Sequence, residues 1–278
     1  MLRKIKLKRI FIYVSAILWG IFVIFPFYWM LNSSLKTHSE MYQFNQTFYP
    51  HNLSFGSYTK LINQMGFLHH YANSLFVTFV TTFLSIIIAF MAAYSLTKLR
   101  YPGRKLLGRS VLVSYLVPYS LLVIPLYILL DSFALLDTFF GLILAYMSAA
   151  VPFCTWLLMG YFRSIHSELI DAALIDGCTH FGVMWRVILP ITFPGLVTTV
   201  IYCFVTAWNM LLYPLVLINS QSKYLLPVLM SRFVTGDTTF NWGVMLAGAV
   251  LITVPPALFF LFLQRFVRQG LGAGSVKG

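Results

Sequence analysis

The sequence predicts an all-α integral membrane protein with six transmembrane helices, and three observations carry that prediction. Of its 278 residues, 59% are hydrophobic and only 9% charged, at a mean hydropathy of +0.83; this is more apolar surface than a water-soluble core of that length can hide. The apolar residues fall in continuous runs of roughly twenty or more, whereas a spanning barrel would show alternating segments of about ten. The basic residues gather in alternate connecting segments, as they do in helical multispan proteins.

Taken in order, runs of spanning length cover residues 10–31, 71–96, 106–130, 138–162, 188–218 and 242–266. The first follows a basic start, "MLRKIKLKRI", and is too long for a signal-peptide core, so it is expected to be a retained span. Six crossings put both termini on one side. Fifteen of the nineteen lysines and arginines lie on that same side, in the N-terminal tail, the loops after spans two and four, and the C-terminal tail. Only Lys36, Lys60, Lys223 and Arg232 lie on the other. The positive-inside rule then makes both termini cytoplasmic. The two larger outside segments, 36–70 and 219–241, are polar and aromatic and are expected to be loops with a short helix each. No repeat or linker divides the chain, so residues 1–278 are expected to form a single transmembrane domain.

Several function classes are disfavoured. The formal charge of +12 is scattered between apolar runs rather than clustered on a solvated face, so no nucleic-acid partner is expected. Cys154, Cys178 and Cys203 have no metal-site or disulfide-framework spacing and read as small apolar fillers. "GRKLLGRS" is one residue short of a phosphate-binding loop and has no strand before it; its cations read as topology anchors. His69 and His70 are adjacent, point apart on a helix, and are expected in an outside loop turn rather than on a metal. No catalytic residues, no metal site and no cofactor of its own are expected in this chain.

One stretch stands out. Three of the seven carboxylates, Glu168, Asp171 and Asp176, lie within ten residues between spans four and five. Glu168, Asp171 and Ala172 share a helical face, while Ile170 and Leu174 form an apolar stripe. Ser167 is the expected N-cap and Gly177 the helix terminator. A second helical pattern, "CTHFGVMWRVI", follows, so residues 167–186 are expected to hold two short cytoplasmic helices. Periodicity alone leaves two readings open, an amphipathic interfacial loop or a docking element. Acidic residues suit anionic headgroups poorly.

The stretch "ELIDAALIDGCTHFGVMWRVILPITFPG" resembles the EAA motif of permease subunits of binding-protein-dependent ABC importers, in the maltose-type carbohydrate branch. Asp171, Ala172 and Ala173 match the triplet, Gly177 the glycine, and Ile188, Leu189 and Pro190 the close. The first triplet residue is aspartate where that family usually has glutamate. "FPFYWMLNSSLKT", "NSLFVTFVTTFLSIIIAFMAAYSLTKLRYPGR", "VPYSLLVIPLYILL" and "QRFVRQGLGAGSVKG" are similar to the same branch, so the likeness covers nearly the whole chain. It implies a type I ABC importer permease fold in which 167–186 is a coupling loop, with Glu168, Asp171, Ala172, Ala173, Asp176 and Gly177 docking an ATPase subunit. The implied partners are a second homologous permease, two ATP-binding subunits that hold ATP and Mg, an extracytoplasmic solute-binding protein and a sugar. The implied contact for the binding protein is "SKYLLPVLMSRF", and "GLGAGSVKG" would lie against the ATPase.

Span five contributes a possible substrate path in Trp208, Asn209 and Tyr213, polar-edged groups in an apolar run that need partners or a watery path. Asn209 and Tyr213 are four apart and are expected on one face, where interhelical hydrogen bonding and sugar contact are both open. Met210 stands where the family often has glutamate. Pro214 and the Pro255–Pro256 pair are expected to kink their spans. Two other classes share the architecture. A channel or ion-coupled carrier would need no ATPase, but coupling would ordinarily require an acid inside a span, and none is there. A membrane scaffold would use the docking loop without a solute path.

Overall fold

Helices and turns account for every element of the computed structural model, which describes residues 2–235 and 241–274, with side chains for 9–233 and 241–267. The elements are α1 (Leu2–Ser34), α2 (His38–Met41), α3 (Gly56–Gln64), α4 (Phe67–Lys98), α5 (Arg104–Leu116), α6 (Tyr119–Ser132), α7 (Phe139–Arg163), α8 (Ser167–Ile175), α9 (His180–Val183), α10 (Leu189–Trp208), α11 (Leu212–Leu217), α12 (Leu226–Thr235) and α13 (Trp242–Gly274). Two compact units emerge, Met1–Leu68 with Met230–Val254, and His69–Leu229 with Pro255–Gly278. The expected tail "GLGAGSVKG" ends outside the described residues.

Among the described residues, five helices are each long and apolar enough to cross a membrane: Arg9–Ser34, Phe67–Lys98, Phe139–Arg163, His180–Trp208 and Trp242–Val267. The sixth crossing differs from the continuous helix expected over 106–130. It is α5 and α6, bent by 101° at Val117 and Pro118. Proline has no N–H for the preceding turn and pushes its neighbour out of the helical region, and Val117 is accordingly extended at ψ 119°.

The fifth span also differs, at both ends. The second short helix expected after Gly177 is not separate: α9 runs through a π-turn, Met184–Ile188, straight into α10. Leu189 N–H bonds to Met184 C=O, one residue further back than in an α-helix. Pro190 would leave the Arg186 carbonyl without its donor and press against it, and the wider turn relieves that crowding. At the far end the helix stops at Trp208, and α11 follows after a break, so 188–218 is not one span. Pro214 consequently sits in the first turns of the short α11 rather than kinking a long helix. Pro255 and Pro256 lie inside α13.

The histidines expected in a loop turn are instead in the first turns of α4. His69 Nε2 lies 2.6 Å from Ser222 O, and His70 Nδ1 3.0 Å from Tyr224 O. These carbonyls anchor the helix start, so the local polar pattern that suggested a loop reflects a long-range tie.

In the first unit, the segment after α1 is held by a charged clasp that the sequence does not announce. Glu40 Oε1 accepts from Thr47 Oγ1 and from the His51 amide, both at 2.9 Å, with His51 Nδ1 at 3.1 Å. Lys36, only 2% exposed, donates to Thr47 O at 2.6 Å and lies 5.1 Å from the Trp29 ring. The His51 backbone bond, aided by Thr47, lowers the Glu40 carboxyl to about 2.

In the second unit, α7 and α10 pack closely because Gly195 has no side chain; a Cβ there would enter the ring of Tyr161. Cys154 and Cys203 are free and fully buried in the same core, fitting their reading as fillers.

Two outcomes are expected. Because the folded Glu40 value lies below the unfolded one, the clasp's contribution is complete above the unfolded value of about 4.3 and fades as pH falls towards about 2. Protection of the 36–51 amides, taken relative to their intrinsic exchange rates, should therefore fall in that window in the parent and show no such dependence in Glu40→Gln. Gly195→Leu should separate α7 from α10 and cost about 1–3 kcal/mol or more by overpacking, read as a lowered thermal midpoint in detergent.

Candidate functional site

The acidic stretch forms a knob on a rigid footing. After α7 ends at Arg163, His166 takes the extended N-cap conformation with no side-chain cap bond, so Ser167 is the first helical residue rather than the expected cap. The helix ends in a Schellman motif: Cys178 N–H bonds to Ala173 O at 3.0 Å and Gly177 N–H to Leu174 O at 3.1 Å. Gly177 has φ +87°, as expected of the terminator. Two residues on, Thr179 Oγ1 accepts from Gly182 N–H at 3.2 Å and caps α9. The turn from α8 to α9 is thus defined by hydrogen bonds at both ends.

Beneath the knob, Ile170 is buried together with Tyr94, Leu158, Phe162, Val183, Met184 and Ile188, and Ala173, Leu174 and Cys178 pack on that cluster. The predicted Ile170/Leu174 stripe is this footing. Tyr94 Oη lies 3.3 Å from His180 Nδ1, and Lys98 Nζ donates to Ile165 O at 2.6 Å. The ends of α4 and α7 and the start of the α9–α10 rod therefore meet under α8.

Glu168, Asp171, Ala172, Asp176 and Gly177 lie together on the exposed side, whereas Ala173 turns inward. None of the three carboxylates has a hydrogen-bond or ion-pair partner among the described residues. Sequence reasoning missed three apolar companions: Ile175 is 85% exposed, Phe181 63% and Leu169 49%. Their signal was the surplus of apolar residues beyond the single stripe that the footing needs. The exposed surface is thus apolar with acids around it.

The possible substrate path comes apart. Trp208 is buried, stacked on Phe204 at 6.0 Å and edge-on to Tyr71 at 5.9 Å. Tyr213 is fully buried and donates to Tyr119 O at 3.2 Å. Asn209 caps α10, bonds back to Val205 O at 2.8 Å and is exposed. Asn209 and Tyr213 therefore do not share a helical face, because the helix breaks between them. Tyr146, which the sequence did not single out, donates to Met210 O at 3.2 Å and satisfies a carbonyl that the break frees.

The segment after α11 is pinned from two sides. Asp137, at φ +55°, accepts from Asn219 N–H at 3.0 Å, Ser220 N–H at 2.9 Å and Ser220 Oγ, and lies 3.0 Å from Lys223 Nζ. The Ser220 hydroxyl and amide hold its carboxyl well below the usual range. From α4, Asn73 donates to Ser222 O at 2.9 Å, and Ser74 Oγ accepts from Leu226 N–H at 2.7 Å. The first half of "SKYLLPVLMSRF" is thereby a fixed shape.

Comparison with known proteins agrees with this architecture. Residues 85–272 match the family described as binding-protein-dependent transport system inner membrane component. The chain is 32% identical over 278 residues to the inner membrane ABC transporter permease protein YcjP of Escherichia coli (strain K12), covering 99% of both chains. It is 32% identical over 272 residues to the diacetylchitobiose uptake system permease protein DasC of Streptomyces coelicolor, covering 97% of this chain and 98% of that one. Among solved structures, a chain of a bacterial ABC transporter involved in import of the acidic polysaccharide alginate superposes with a TM-score of 0.78 at 25% identity, over 92% of this chain and 96% of that one. The fold is that of type I ABC importer permeases, and a self-sufficient channel or carrier is set aside. The chain belongs to the binding-protein-dependent transport system inner membrane components: it is a multi-pass, non-enzymatic permease subunit of an ABC importer, whose ATPase activity lies in separate subunits.

Proposed function

We propose that this permease forms half of a carbohydrate pathway, with a second homologous permease as the other half, and that the knob at 167–186 is its coupling loop within one transmembrane domain, 1–278. The observation that carries this reading is the exposed face of α8, where unpaired carboxylates surround Leu169, Ala172 and Ile175. Arginines of an ATP- and Mg-binding subunit would give charge-assisted hydrogen bonds to Glu168, Asp171 and Asp176. Ile175 would enter an apolar cleft, Ala172 would allow close approach, and Gly177 would keep the turn. Ala173 serves from beneath, by holding the helix to its footing.

The rod His180–Trp208, 29 residues and so about 43 Å long, gives that docking a mechanical use. Movement of α8 as the ATPases close would tilt a helix crossing the whole bilayer, because α8 and the rod share one apolar core. Asn209 at the rod's far end is then the candidate solute contact, with Trp208 and Tyr213 as its packed surroundings. The pinned segment 219–226 supports the reading that an extracytoplasmic binding protein docks at that end, since a preformed loop loses little entropy on binding. Termini in the cytoplasm follow from the positive-inside distribution. A carbohydrate as solute is supported by the diacetylchitobiose and alginate systems to which the chain is similar.

The test is co-purification of the complex in mild detergent. Glu168→Arg with Asp171→Arg should weaken retention of the ATPase subunit by about 30-fold or more, the effect of unpairing buried charges at an interface, and Ile175→Glu should do the same by burying a charge. Each variant should keep the parent's thermal midpoint, because these side chains are exposed and the acids have no polar partner among the described residues. Undiminished retention in both, or ATP-independent uptake of labelled oligosaccharide by the parent, would overturn the coupling role.

A further inference from the structure

The cations after α4 are more than topology markers. Arg100, Tyr101, Gly103, Arg104, Lys105, Leu106 and Arg109 line a hollow of about 500 Å³ where α4 gives way to α5. The positive-inside effect needs only charge in a connecting segment; it does not need cations to converge on a cavity. Their side chains divide by partner. Arg104 Nη1 donates to Leu99 O at 2.5 Å and Thr97 O at 3.5 Å, so it caps the end of α4. Arg100, Lys105 and Arg109 have no hydrogen-bond or ion-pair partner among the described residues. Lys105 and Arg109 are one turn apart on the same helical face. Three exposed cations held near one another repel, and the arrangement favours an anion between them.

The surroundings say what kind of anion. Lys98 ends a spanning helix and Arg104 begins the next, so the hollow lies at the depth of the lipid headgroups. Beside it, Leu106 is 68% exposed and Leu107 52%, a surface suited to acyl chains rather than to water. Arginine's planar fork matches phosphate oxygens in pairs. We propose that this hollow binds the phosphodiester headgroup of an anionic phospholipid, with Arg100, Lys105 and Arg109 around the phosphate and Leu106 and Leu107 against the first carbons of its chains. The site is separate from the coupling knob and does not depend on the solute.

Delipidated complex in detergent, titrated with phosphatidylglycerol or phosphatidylcholine and read by native mass spectrometry, tests the assignment. The parent should bind phosphatidylglycerol in preference. Each cation contributes about fivefold near a membrane surface, so Arg100→Gln/Lys105→Gln/Arg109→Gln should lose roughly a hundredfold in phosphatidylglycerol affinity and much less in that of phosphatidylcholine, whose choline offsets the phosphate charge. Arg100→Lys/Arg109→Lys keeps the charge and should retain most of the binding, and Lys60→Gln should behave as the parent. Arg104 is left in place so that the end of α4 keeps its cap. Equal affinity for the two lipids, or an unchanged preference in the triple variant, would overturn the proposal. Displacement of the lipid by millimolar inorganic phosphate would overturn it in favour of a free-phosphate site. Loss of the ATPase subunit from the triple variant without any change in lipid binding would mark the hollow as a protein contact instead.

Discussion

Every interruption of a helix inside a bilayer leaves carbonyls and amides with no water to bond, and this chain interrupts two of its crossings. The break after Trp208 is tolerated because Tyr146 reaches the Met210 carbonyl, whose helical donor would have been the N–H that Pro214 lacks, and Tyr213 adds a bond to the Tyr119 carbonyl in the first turn of α6, just beyond the bend at Pro118. The two rings lie 6.3 Å apart between the interrupted helices. Tyr146 therefore makes the break possible, and with it the exposed Asn209 at the end of α10. Replaced by phenylalanine, the Tyr146 ring would still fill its space but would leave a buried carbonyl bare.

Order at the opposite end of the second unit comes from a different source. There the footing of α8 is apolar and the capping is done by backbone and by Thr179, so no charge is needed to shape the knob. The acids of that stretch are released from structural duty, unlike Glu40 and Asp137, whose carboxylates are each engaged in bonds to their own chain. This division sets the three clustered carboxylates apart: they are exposed and have no hydrogen-bond or ion-pair partner among the described residues.

Much of this was legible in the residues. Run length located the apolar helices, since hydrophobic thickness fixes helix length, and the Gly177 terminator and the Ile170/Leu174 stripe followed from helical geometry. The bend at Pro118 was readable in principle from proline chemistry. The end of α10 was not, because Trp208, Asn209, Met210 and Leu211 include neither glycine nor proline and the break depends on a tyrosine more than sixty residues away. Likewise the Asp137 clamp closes over 82 to 86 residues and the His70 tie over 154; no local pattern encodes such pairings. Asn209 and Tyr213 were grouped by a helical period that assumes continuity, and the continuity fails between them.

The π-turn has an effect on phase. Along a regular α-helix each residue advances about 100°, so positions five apart face nearly opposite ways. Val183 and Ile188 are five apart, yet both are fully buried in one cluster. The extra residue held in the wider turn re-times the helix, letting the stretch that supports the knob and the stretch that crosses the membrane present their apolar sides to the same neighbours. Without that correction, either the start of the rod or its membrane portion would have to turn its greasy side away from α7, and the knob could not be seated on the rod.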